Sequence, residues 1–339
     1  MKTFQLFGPK DIRLVEKAVP VPGAHEVLVR PVFTGICGSD IHYFRHGYCG
    51  QYKPLYPFAL GHEFAGVVER VGQQVQGLAV GDCVAVDPSM PCGTCHHCRS
   101  GQYNLCLSMR YFGSASCHPH IDGSMSQFVV VPAVNCYVLP PQMPMEHAAL
   151  LEPLCVALHA VRQAGHVSGK SVFIAGGGPI GQLILRVLKA FGTYSITVSD
   201  VDAFARGFAL KSGASAVVDP LVESEWKGMA DFDVAFEASG NPAALSNALH
   251  VVKRGGDVVL VGTLPETFSI SGNVIMNRQL RLLGSFRFAH VFEEALKLVA
   301  SGIIELDGIV TATFSFDDIP LAFQQALEKN GHMKIQIAS

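Results

Sequence analysis

The amino-acid sequence predicts an α/β protein in which a doubly wound parallel sheet is joined to a β-rich domain that carries a cysteine-rich lobe. Short β-like runs such as EVLVRPVF and FAGVVERVG dominate the first 150 or so residues, and Gly and Pro separate them. Beyond that point, apolar strands such as SVFIAG and SITVSD alternate with helical stretches such as PIGQLILRVLKAFG. Closely spaced short strands are typical of a barrel or sandwich, whereas strand–helix alternation is typical of a parallel sheet.

These patterns of predicted strands and helices divide the chain of 339 residues into three segments. Residues 1–150 are predicted to form the β-rich domain, with the cysteine-rich lobe at residues 88–106. Residues 151–286 are predicted to form the doubly wound domain. The helical stretch VFEEALKLVASG and the terminal run HMKIQIAS break the alternation, so we expect residues 287–339 to return to the first domain.

Composition limits the kinds of partner that the protein is expected to bind and the cellular compartment in which we expect it. The formal net charge of −3 argues against a general binder of nucleic acid or of membrane surfaces. Only 16% of residues are charged and 49% are hydrophobic, which favours a protein that also buries a subunit interface. The N-terminal run MKTFQLFGPKDIRL lacks the apolar segment of a signal peptide, and no apolar run reaches the roughly 18 residues of a membrane-spanning helix. We therefore expect a cytoplasmic protein with reduced thiols.

The lobe sequence PSMPCGTCHHCRSGQYNLC places four cysteines in the pattern C-x₂-C-x₂-C-x₇-C: Cys92, Cys95, Cys98 and Cys106. In a reducing compartment such a cluster indicates metal ligands rather than disulfides. An iron–sulfur cluster is an alternative, although in the ferredoxin pattern the fourth cysteine follows after three residues and precedes a proline. Four thiolates suit tetrahedral zinc, and a site with no open position stabilises a fold without performing chemistry. We predict a structural zinc in this lobe.

A second metal site is predicted from residues outside the lobe. Cys37 lies in GICGSDIHY and His62–Glu63 lies in ALGHEFAG, and glycines at positions 35, 38 and 61 permit sharp backbone turns there. Each of these side chains alone is more often packed in a core than bound to a metal. Glu152 lies inside the apolar run ALLEPLCVALHA, and a buried carboxylate is costly unless a cation or donor compensates it. Glu152 is therefore either a carboxylate at a helix N-terminus or a partner of the metal.

The stretch SVFIAGGGPIGQLILRVLKAFG predicts a dinucleotide site, because G-x-G-x-x-G follows a strand and opens a helix. Glycines there let the backbone approach a pyrophosphate at the helix N-terminus. Asp200 lies 19 residues past Gly181, where it can accept hydrogen bonds from both ribose hydroxyls and repel a 2′-phosphate. This favours NAD over NADP. Arg206, a cation close by in the sequence, weakens this preference without reversing it. The predicted cofactor-binding residues are Gly176, Gly178, Pro179, Ile180, Gly181, Asp200 and Arg206.

With these residues assembled, the chain resembles the zinc-dependent medium-chain dehydrogenases of the alcohol dehydrogenase superfamily over essentially its whole length. The lobe cysteines, GHE, GGGPIG and CGSDIHY occur in the order expected of that family. The resemblance implies a Rossmann NAD-binding domain, a GroES-like catalytic domain, and two zinc ions, one catalytic and one structural. Glu152 stands where alcohol dehydrogenase has a second cysteine ligand. That glutamate, and Glu63 after the histidine, match the polyol branch typified by sorbitol dehydrogenase.

Three further segments, MRYFGSA, PHIDG and LLGSFRF, resemble the L-idonate 5-dehydrogenase branch of this family, and the first two depart from sorbitol dehydrogenase. The resemblance implies interconversion of L-idonate and 5-keto-D-gluconate with NAD(H). A dehydrogenase of neutral polyols such as sorbitol or xylitol is the alternative within enzymes. The alternative that is not an enzyme is a nucleotide sensor whose fold is stabilised by zinc and which performs no catalysis. The family also implies a homodimer or homotetramer.

The resemblance further implies roles for individual residues. Cys37, His62 and Glu63 correspond to ligands of the catalytic zinc, and Glu152 to a nearby ligand or to the holder of its bound water. Ser39 and His42 correspond to a proton relay, with His42 equally readable as a surface histidine.

An aldonate substrate also needs a cation for its carboxylate, which a bidentate arginine supplies best. Arg110 is one candidate, with a solvated surface arginine as its alternative interpretation, and His118 or His120 are others. The family implies substrate contacts from Tyr43, Phe112, Glu152, Arg287 and Phe288, with contact to the cofactor as the alternative for Arg287.

Overall fold

The structure is a computed structural model, and it describes residues 1–226, 228–328 and 331–339. The chain separates into two compact units. Unit 1 comprises Met1–Glu152, Phe292–Ser301 and Leu306–Ser339, and unit 2 comprises Pro153–Val291 and Gly302–Glu305. Within the described residues, no helix is long and apolar enough to cross a membrane.

The N-terminal part of unit 1 is built mainly of strands, because branched and aromatic residues recur there between turn residues. Its strands are β1 (Lys2–Gly8), β2 (Asp11–Glu16), β3 (Glu26–Gly35), β4 (Glu63–Val71), β5 (Cys83–Val86), β6 (Ser89–Met90), β7 (Arg110–Tyr111), β8 (Val129–Pro132) and β9 (Cys136–Val138). Its helices are α1 (Gly38–His46), α2 (His96–Arg99) and α3 (Met145–Ala148), with short 3₁₀ turns at Tyr103–Leu105 and Ala133–Asn135.

Unit 2 is built around a parallel sheet whose buried strand positions are mostly apolar, as expected when helices cover both faces. Helix α4 (Leu151–Gln163) starts at the end of unit 1 and continues into unit 2. The elements that follow are β10 (Ser171–Ala175), α5 (Pro179–Ala190), β11 (Ser195–Ser199), α6 (Ala203–Lys211), β12 (Ala216–Val218), α7 (Glu223–Trp226), β13 (Phe232–Glu237), α8 (Pro242–Val251), β14 (Val252–Leu260), α9 (Gly272–Arg278) and β15 (Arg281–Gly284).

The sheet of unit 2 has the strand order β12-β11-β10-β13-β14-β15, and the strands pair in parallel. The chain builds outward from β10 in one direction and then crosses over to β13 on its other side. The point between β10 and β13 is therefore the topological switch point, where open α/β sheets bind their ligands.

The C-terminal segment completes unit 1. It contains α10 (Phe292–Ala300), β16 (Val310–Ser315), a 3₁₀ turn at Phe316–Asp318, α11 (Ile319–Glu328) and β17 (Lys334–Ala338). The main sheet of this unit runs β16-β17-β3-β4-β5-β9, and β8 also pairs with β3. Because β17 lies antiparallel to β3, with Gln336 opposite Gly35, the last residues of the chain reach the centre of the sheet.

The predicted fold class is confirmed by this architecture. EVLVRPVF and FAGVVERVG lie in β3 and β4 of the β-rich unit, and SVFIAG and SITVSD supply β10 and β11 of the doubly wound sheet. The spacing of apolar residues predicted the fold class. Half-buried strands alternate apolar and polar residues, whereas strands covered on both faces are continuously apolar.

Candidate active site

The three residues predicted as a second metal site are brought together by α1 and β4. Cys37 is the N-cap of α1, His62 immediately precedes β4, and Glu63 begins that strand. The sulfur of Cys37, a ring nitrogen of His62 and a carboxylate oxygen of Glu63 all lie within 4.8 Å of one another. Residues from two separate turns therefore present one sulfur, one nitrogen and one oxygen to a single point.

Glu63 forms an ion pair with Lys334 in the interior of unit 1. The ion pair joins Lys334 Nζ to Glu63 Oε2, and the two side chains are 4% and 1% exposed. Burial lowers the pKa of Lys334, but the negative charges of Glu63 and Cys37 outweigh burial, and the pKa is raised overall. Lys334 therefore stays positively charged and fixes one oxygen of Glu63.

Gly35 leaves the space that this ion pair occupies. A Cβ atom at position 35 would lie 2.1 Å from Glu63 Oε2 and 3.2 Å from Lys334 Cε. Gly35 was named as a residue that permits a sharp turn; in the structure it ends β3 and pairs with Glu63 across the ladder. Gly61, by contrast, has a positive φ of 98°, as a turn requires.

Asp40 connects two of the candidate ligands. It is fully buried, its Oδ2 accepts a hydrogen bond of 2.9 Å from the Cys37 amide, and its Oδ1 lies 3.6 Å from His62 Nδ1. A carboxylate beside one ring nitrogen of a histidine fixes the tautomer and leaves the other nitrogen for a metal. The sequence analysis did not single out Asp40, although its position three residues after Cys37 is a recognisable capping signal.

Glu152 is buried beside this group and is held by Tyr111. The Tyr111 hydroxyl donates to Glu152 Oε1 at 2.6 Å, and the rings of Tyr111 and His62 lie 5.9 Å apart. Burial raises the pKa of Glu152 to about 7. Glu152 lies outside the set of three close ligand atoms, so it adjoins the candidate metal position rather than completing it. Sequence reasoning missed Tyr111 and favoured its neighbour Arg110.

The charges at this site fit a divalent cation. Asp40, Glu63 and Glu152 are three buried carboxylates, and Lys334 is the only buried lysine or arginine in the described part of the chain. Burying unbalanced charges costs several kcal/mol for each ion. A divalent cation offsets the excess negative charge, and a mixed set of sulfur, nitrogen and oxygen donors suits zinc. Three protein ligands also leave a coordination position open, as catalytic zinc sites require.

The lobe cysteines form a second, separate cluster. The sulfurs of Cys92, Cys95, Cys98 and Cys106 lie within 4.8 Å of one another. The Cys95–Cys98 and Cys92–Cys98 sulfur distances are 3.5 Å and 4.0 Å, far beyond a disulfide bond. Tetrahedral zinc with bonds of about 2.3 Å separates neighbouring sulfurs by about 3.8 Å, so the cluster fits a closed zinc site.

Replacing Cys95 with serine is expected to remove about one zinc per chain and to lower the melting temperature, because a closed zinc site contributes folding free energy. The folded remainder should keep its turnover. Zinc analysis, thermal unfolding and a dehydrogenase assay measure the three effects, and Cys83→Ser is the control because Cys83 is exposed and lies outside both clusters. Complete loss of turnover in a well-folded Cys95→Ser protein would show that the lobe takes part in catalysis.

The predicted dinucleotide loop lies in unit 2, between β10 and α5. Gly178 is the N-cap of α5 and Pro179 its first residue, where a missing N–H costs nothing. A Cβ atom at Gly181 would lie 1.9 Å from the carbonyl oxygen of Gly176, so only glycine allows the helix to begin this close to the loop. Gln182, which the sequence analysis did not identify, is fully buried and donates to the Gly177 carbonyl at 2.8 Å. Ile180 lies in the first turn of α5.

Asp200 directly follows β11 and is anchored to this loop. Its Oδ2 accepts from the Gly177 amide at 2.7 Å and its Oδ1 from the Asp202 amide at 2.8 Å. Arg206 donates to the backbone oxygen of Asp200 at 2.7 Å and lies 3.0 Å from Asp219 Oδ2. Because an acidic partner already holds Arg206, the carboxylate of Asp200 dominates the charge at the predicted ribose position.

The predicted relay residues lie three positions apart on α1, and thus on one face of the helix. Ser39 is half-buried and His42 is exposed. The aromatic residues predicted to contact substrate in unit 1 are packed into cores. Tyr43 contacts Phe58, and its hydroxyl accepts from the Ala115 amide at 3.2 Å. Phe112 packs edge-on against Phe64.

The candidates for holding a substrate carboxylate are placed less favourably. Arg110 is exposed, and because side chains alternate along a strand it points away from the face on which its neighbour Tyr111 contacts Glu152. His120 donates from Nδ1 to the Cys117 carbonyl and accepts at Nε2 from the Leu55 amide, which requires a neutral ring. His118 is exposed.

Two further predicted substrate contacts belong to unit 2. The guanidinium of Arg287 lies 5.1 Å from the ring centre of Phe286, and Phe288 is buried.

Comparison with known proteins gives matches over nearly the whole chain. Residues 23–141 match the family described as alcohol dehydrogenase GroES-like domain, and residues 179–301 match zinc-binding dehydrogenase. D-xylulose reductase A of Aspergillus niger is 35% identical, with 97% of this chain and 94% of the relative covered. Sorbitol dehydrogenase of Bacillus subtilis is also 35% identical, with 99% and 97% covered. The crystal structure of L-idonate 5-dehydrogenase from Escherichia coli superposes with a TM-score of 0.95 at 34% identity, covering 100% of this chain and 98% of that one.

Proposed function

Since the chain belongs to the zinc-dependent medium-chain alcohol and polyol dehydrogenase family, we propose that it is an NAD-dependent dehydrogenase that oxidises a secondary alcohol of a sugar acid, L-idonate, to 5-keto-D-gluconate. Its cofactors are zinc and a nicotinamide dinucleotide. The observation that carries the proposal is the cluster of half-buried Cys37 with buried His62 and Glu63, which offers three ligands and leaves a coordination position open. L-idonate is supported by the similarity to the Escherichia coli enzyme and by the segments MRYFGSA, PHIDG and LLGSFRF.

A neutral polyol such as sorbitol or xylitol is the second candidate substrate. Relatives named for xylulose and sorbitol match this chain at 35% identity, much as the L-idonate enzyme does at 34%. The positions of Arg110 and His120 favour this candidate, because neither presents a cation on the side of Tyr111 that faces Glu152.

The residues of the site suit alcohol oxidation. When bound, zinc supplies Lewis acidity that makes the substrate hydroxyl easier to deprotonate, and the dinucleotide accepts the hydride from the same carbon. Cys37, His62 and Glu63 hold the metal position, and Asp40 orients the first two of them. Lys334 engages Oε2 of Glu63 and thereby fixes which carboxylate oxygen faces the metal position.

The chain also offers groups that can move the proton released from the alcohol. Glu152, whose pKa burial raises to about 7, can exchange a proton near neutral pH. Tyr111 donates to Oε1 and leaves Oε2 to take up and release the proton. Ser39 and His42 provide a second route, because they lie on one face of α1 and His42 reaches solvent.

The proposal is tested by a panel of aldonates and neutral polyols, with the formation of NADH followed by its absorbance. L-idonate is expected to give the highest kcat/KM. If sorbitol or xylitol is the better substrate, the polyol candidate replaces it. A folded protein that contains zinc and binds NAD but oxidises no member of the panel would instead support the non-catalytic nucleotide sensor.

Asp200→Ser tests the preference for NAD. The change removes the carboxylate that repels a 2′-phosphate and that can bind the ribose hydroxyls. We expect kcat/KM with NAD to fall and that with NADP to rise, on the order of 10-fold or more, since hydrogen bonds to charged groups are worth about 1.5–3 kcal/mol. An unmodified protein that already prefers NADP would contradict this role of Asp200. Asp202→Ser, at an exposed N-cap nearby, is the matched control.

We further propose a cytoplasmic homodimer or homotetramer. None of the ten cysteines forms a disulfide, which suits a reducing compartment. Light scattering coupled to size-exclusion chromatography tests the assembly, and a monomer at micromolar concentration would contradict it.

A further inference from the structure

Glu237 is a buried carboxylate that the chemistry proposed above does not use. It is the last residue of β13, with Ala175 of β10 on one side and Leu260 of β14 on the other. Its side chain is fully buried at the carboxyl end of the sheet. Glu237 therefore lies at the topological switch point between β10 and β13, where doubly wound sheets bind their ligands.

One oxygen of Glu237 organises the loop that follows β13. Its Oε1 accepts from the Ser239 amide at 2.8 Å, from the Ser239 hydroxyl at 2.5 Å and from the Gly240 amide at 2.8 Å. Because all three partners donate, this oxygen acts as an unprotonated carboxylate oxygen.

The other oxygen, Oε2, is buried and has no hydrogen-bond partner within residues 1–226, 228–328 and 331–339. No ion pair to Glu237 occurs among those residues either. The hydrogen bonds that Glu237 accepts therefore come from backbone amides and one hydroxyl, and the described residues place no cation beside Oε2.

The loop at residues 238–240 is fixed between its neighbours. A Cβ atom on Gly176 would lie 2.7 Å from the Ser239 amide nitrogen, and one on Gly262 would lie 2.2 Å from the Gly240 nitrogen and 2.8 Å from Glu237 Oε2. The loop thus touches the dinucleotide loop on one side and the end of β14 on the other. The side chain of Glu237 ties this loop to the end of β13 through its hydrogen bonds with Ser239 and Gly240.

The direction of the dinucleotide across the sheet follows from the elements already described. Asp200, at the end of β11, marks the adenosine ribose, and the N-terminus of α5, after β10, marks the pyrophosphate. The other half of the molecule then extends over β13, on the far side of β10 from β11. The nicotinamide half accordingly faces the loop that Glu237 holds.

We propose that Glu237 is a positioning residue for the nicotinamide half of the cofactor and that its charge favours the oxidised cofactor. The nicotinamide ring is positively charged in NAD⁺ and neutral in NADH, so a nearby fixed anion stabilises the first more than the second. If the separation is taken as about 10 Å and the effective dielectric constant as about 20–40, Coulomb's law gives a preference of roughly 4- to 16-fold in relative affinity. The inference rests on the proposed NAD-dependent function.

Glu237→Gln tests the charge while keeping an oxygen that can accept from the Ser239 and Gly240 amides. The dissociation constants of NAD⁺ and NADH are measured by calorimetry and by NADH fluorescence, with no substrate present. The ratio Kd(NAD⁺)/Kd(NADH) is expected to rise roughly 4- to 16-fold over that of the unmodified protein. Glu266→Gln, the same change at an exposed position of unit 2, should leave the ratio unchanged. An unchanged ratio in Glu237→Gln overturns the proposal.

Glu237→Asp provides a second measurement if the glutamine variant does not fold. It keeps the charge but shortens the side chain, so both dissociation constants should rise while their ratio stays within about 2-fold of the original, since the charge remains close to the ring. Unchanged affinity for both forms would overturn the positioning role, and a larger change in the ratio would overturn the role of charge. Failure of the unmodified protein to bind either form would instead contradict the proposed function.

Discussion

Replacing Cys37 with serine is expected to lower kcat/KM by on the order of 10³-fold or more, because a catalytic zinc supplies several kcal/mol of transition-state stabilisation. Serine leaves a hydroxyl, a far poorer ligand than a thiolate, beside His62 and Glu63. The zinc content should fall by about one ion per chain. The zinc of the lobe should remain, since its four cysteines lie in a separate cluster.

The measurement combines zinc analysis with kinetics and a check of the fold by circular dichroism. Cys83→Ser controls for the loss of a thiol from unit 1, since Cys83 is exposed and belongs to neither cluster. Cys95→Ser is the complementary variant, expected to lose the other zinc while its folded fraction keeps turnover. A Cys37→Ser protein that retains both zinc ions and full activity would show that Cys37 is not a ligand.

The parts of the site that could be predicted from sequence are those encoded by short local patterns. The lobe cysteines lie within 15 residues, and the glycine loop lies between a recognisable strand and helix. Cys37 and His62–Glu63 were found because each lies in a glycine-containing turn. Such features can be recognised from the spacing of residues in the sequence, without knowledge of tertiary contacts.

The parts that sequence did not predict depend on pairing between distant strands. Lys334 meets Glu63 only because β17 lies beside β3, and nothing local indicates that register. The space that Gly35 leaves for Glu63, 28 positions away in the sequence, depends on the same kind of pairing and has no local signal.

Tyr111 and Arg110 illustrate a different limit. They are adjacent in a strand of two residues, and in a strand adjacent side chains face opposite ways. So short a segment has no periodicity from which the inward-facing residue could be identified. The need of an aldonate carboxylate for a cation directed attention to the arginine, whereas the hydroxyl of the tyrosine contacts Glu152.

For Lys334, the one local signal in the sequence is a lysine flanked by apolar residues, as in HMKIQIAS.

Replacing Lys334 with methionine is expected to destabilise the central sheet of unit 1 by about 3–5 kcal/mol, the usual cost of removing one partner of a buried ion pair. Methionine keeps much of the length and apolar surface of the lysine stem, so the loss is mainly that of charge. Glu63 would then be a buried carboxylate without its cation, next to Asp40 and Glu152, which are also buried. Hydrogen exchange followed by mass spectrometry in β3, β4 and β17 of the metal-depleted protein measures this loss of stability within the sheet. The measurement does not require that both units unfold together.

Two further variants separate the ion pair from other effects of the substitution. Lys297→Met removes the same charge from an exposed pair with Glu293, whose side chains are 72% and 69% exposed, and should leave exchange unchanged. Lys334→Met combined with Glu63→Gln removes both charges, and should recover most of the lost protection because no buried charge is left unpaired. The double variant should still bind zinc poorly, since Glu63 is a candidate ligand. If it is instead as unstable as Lys334→Met alone, the contribution of Lys334 is packing, and the ion pair does not stabilise the sheet.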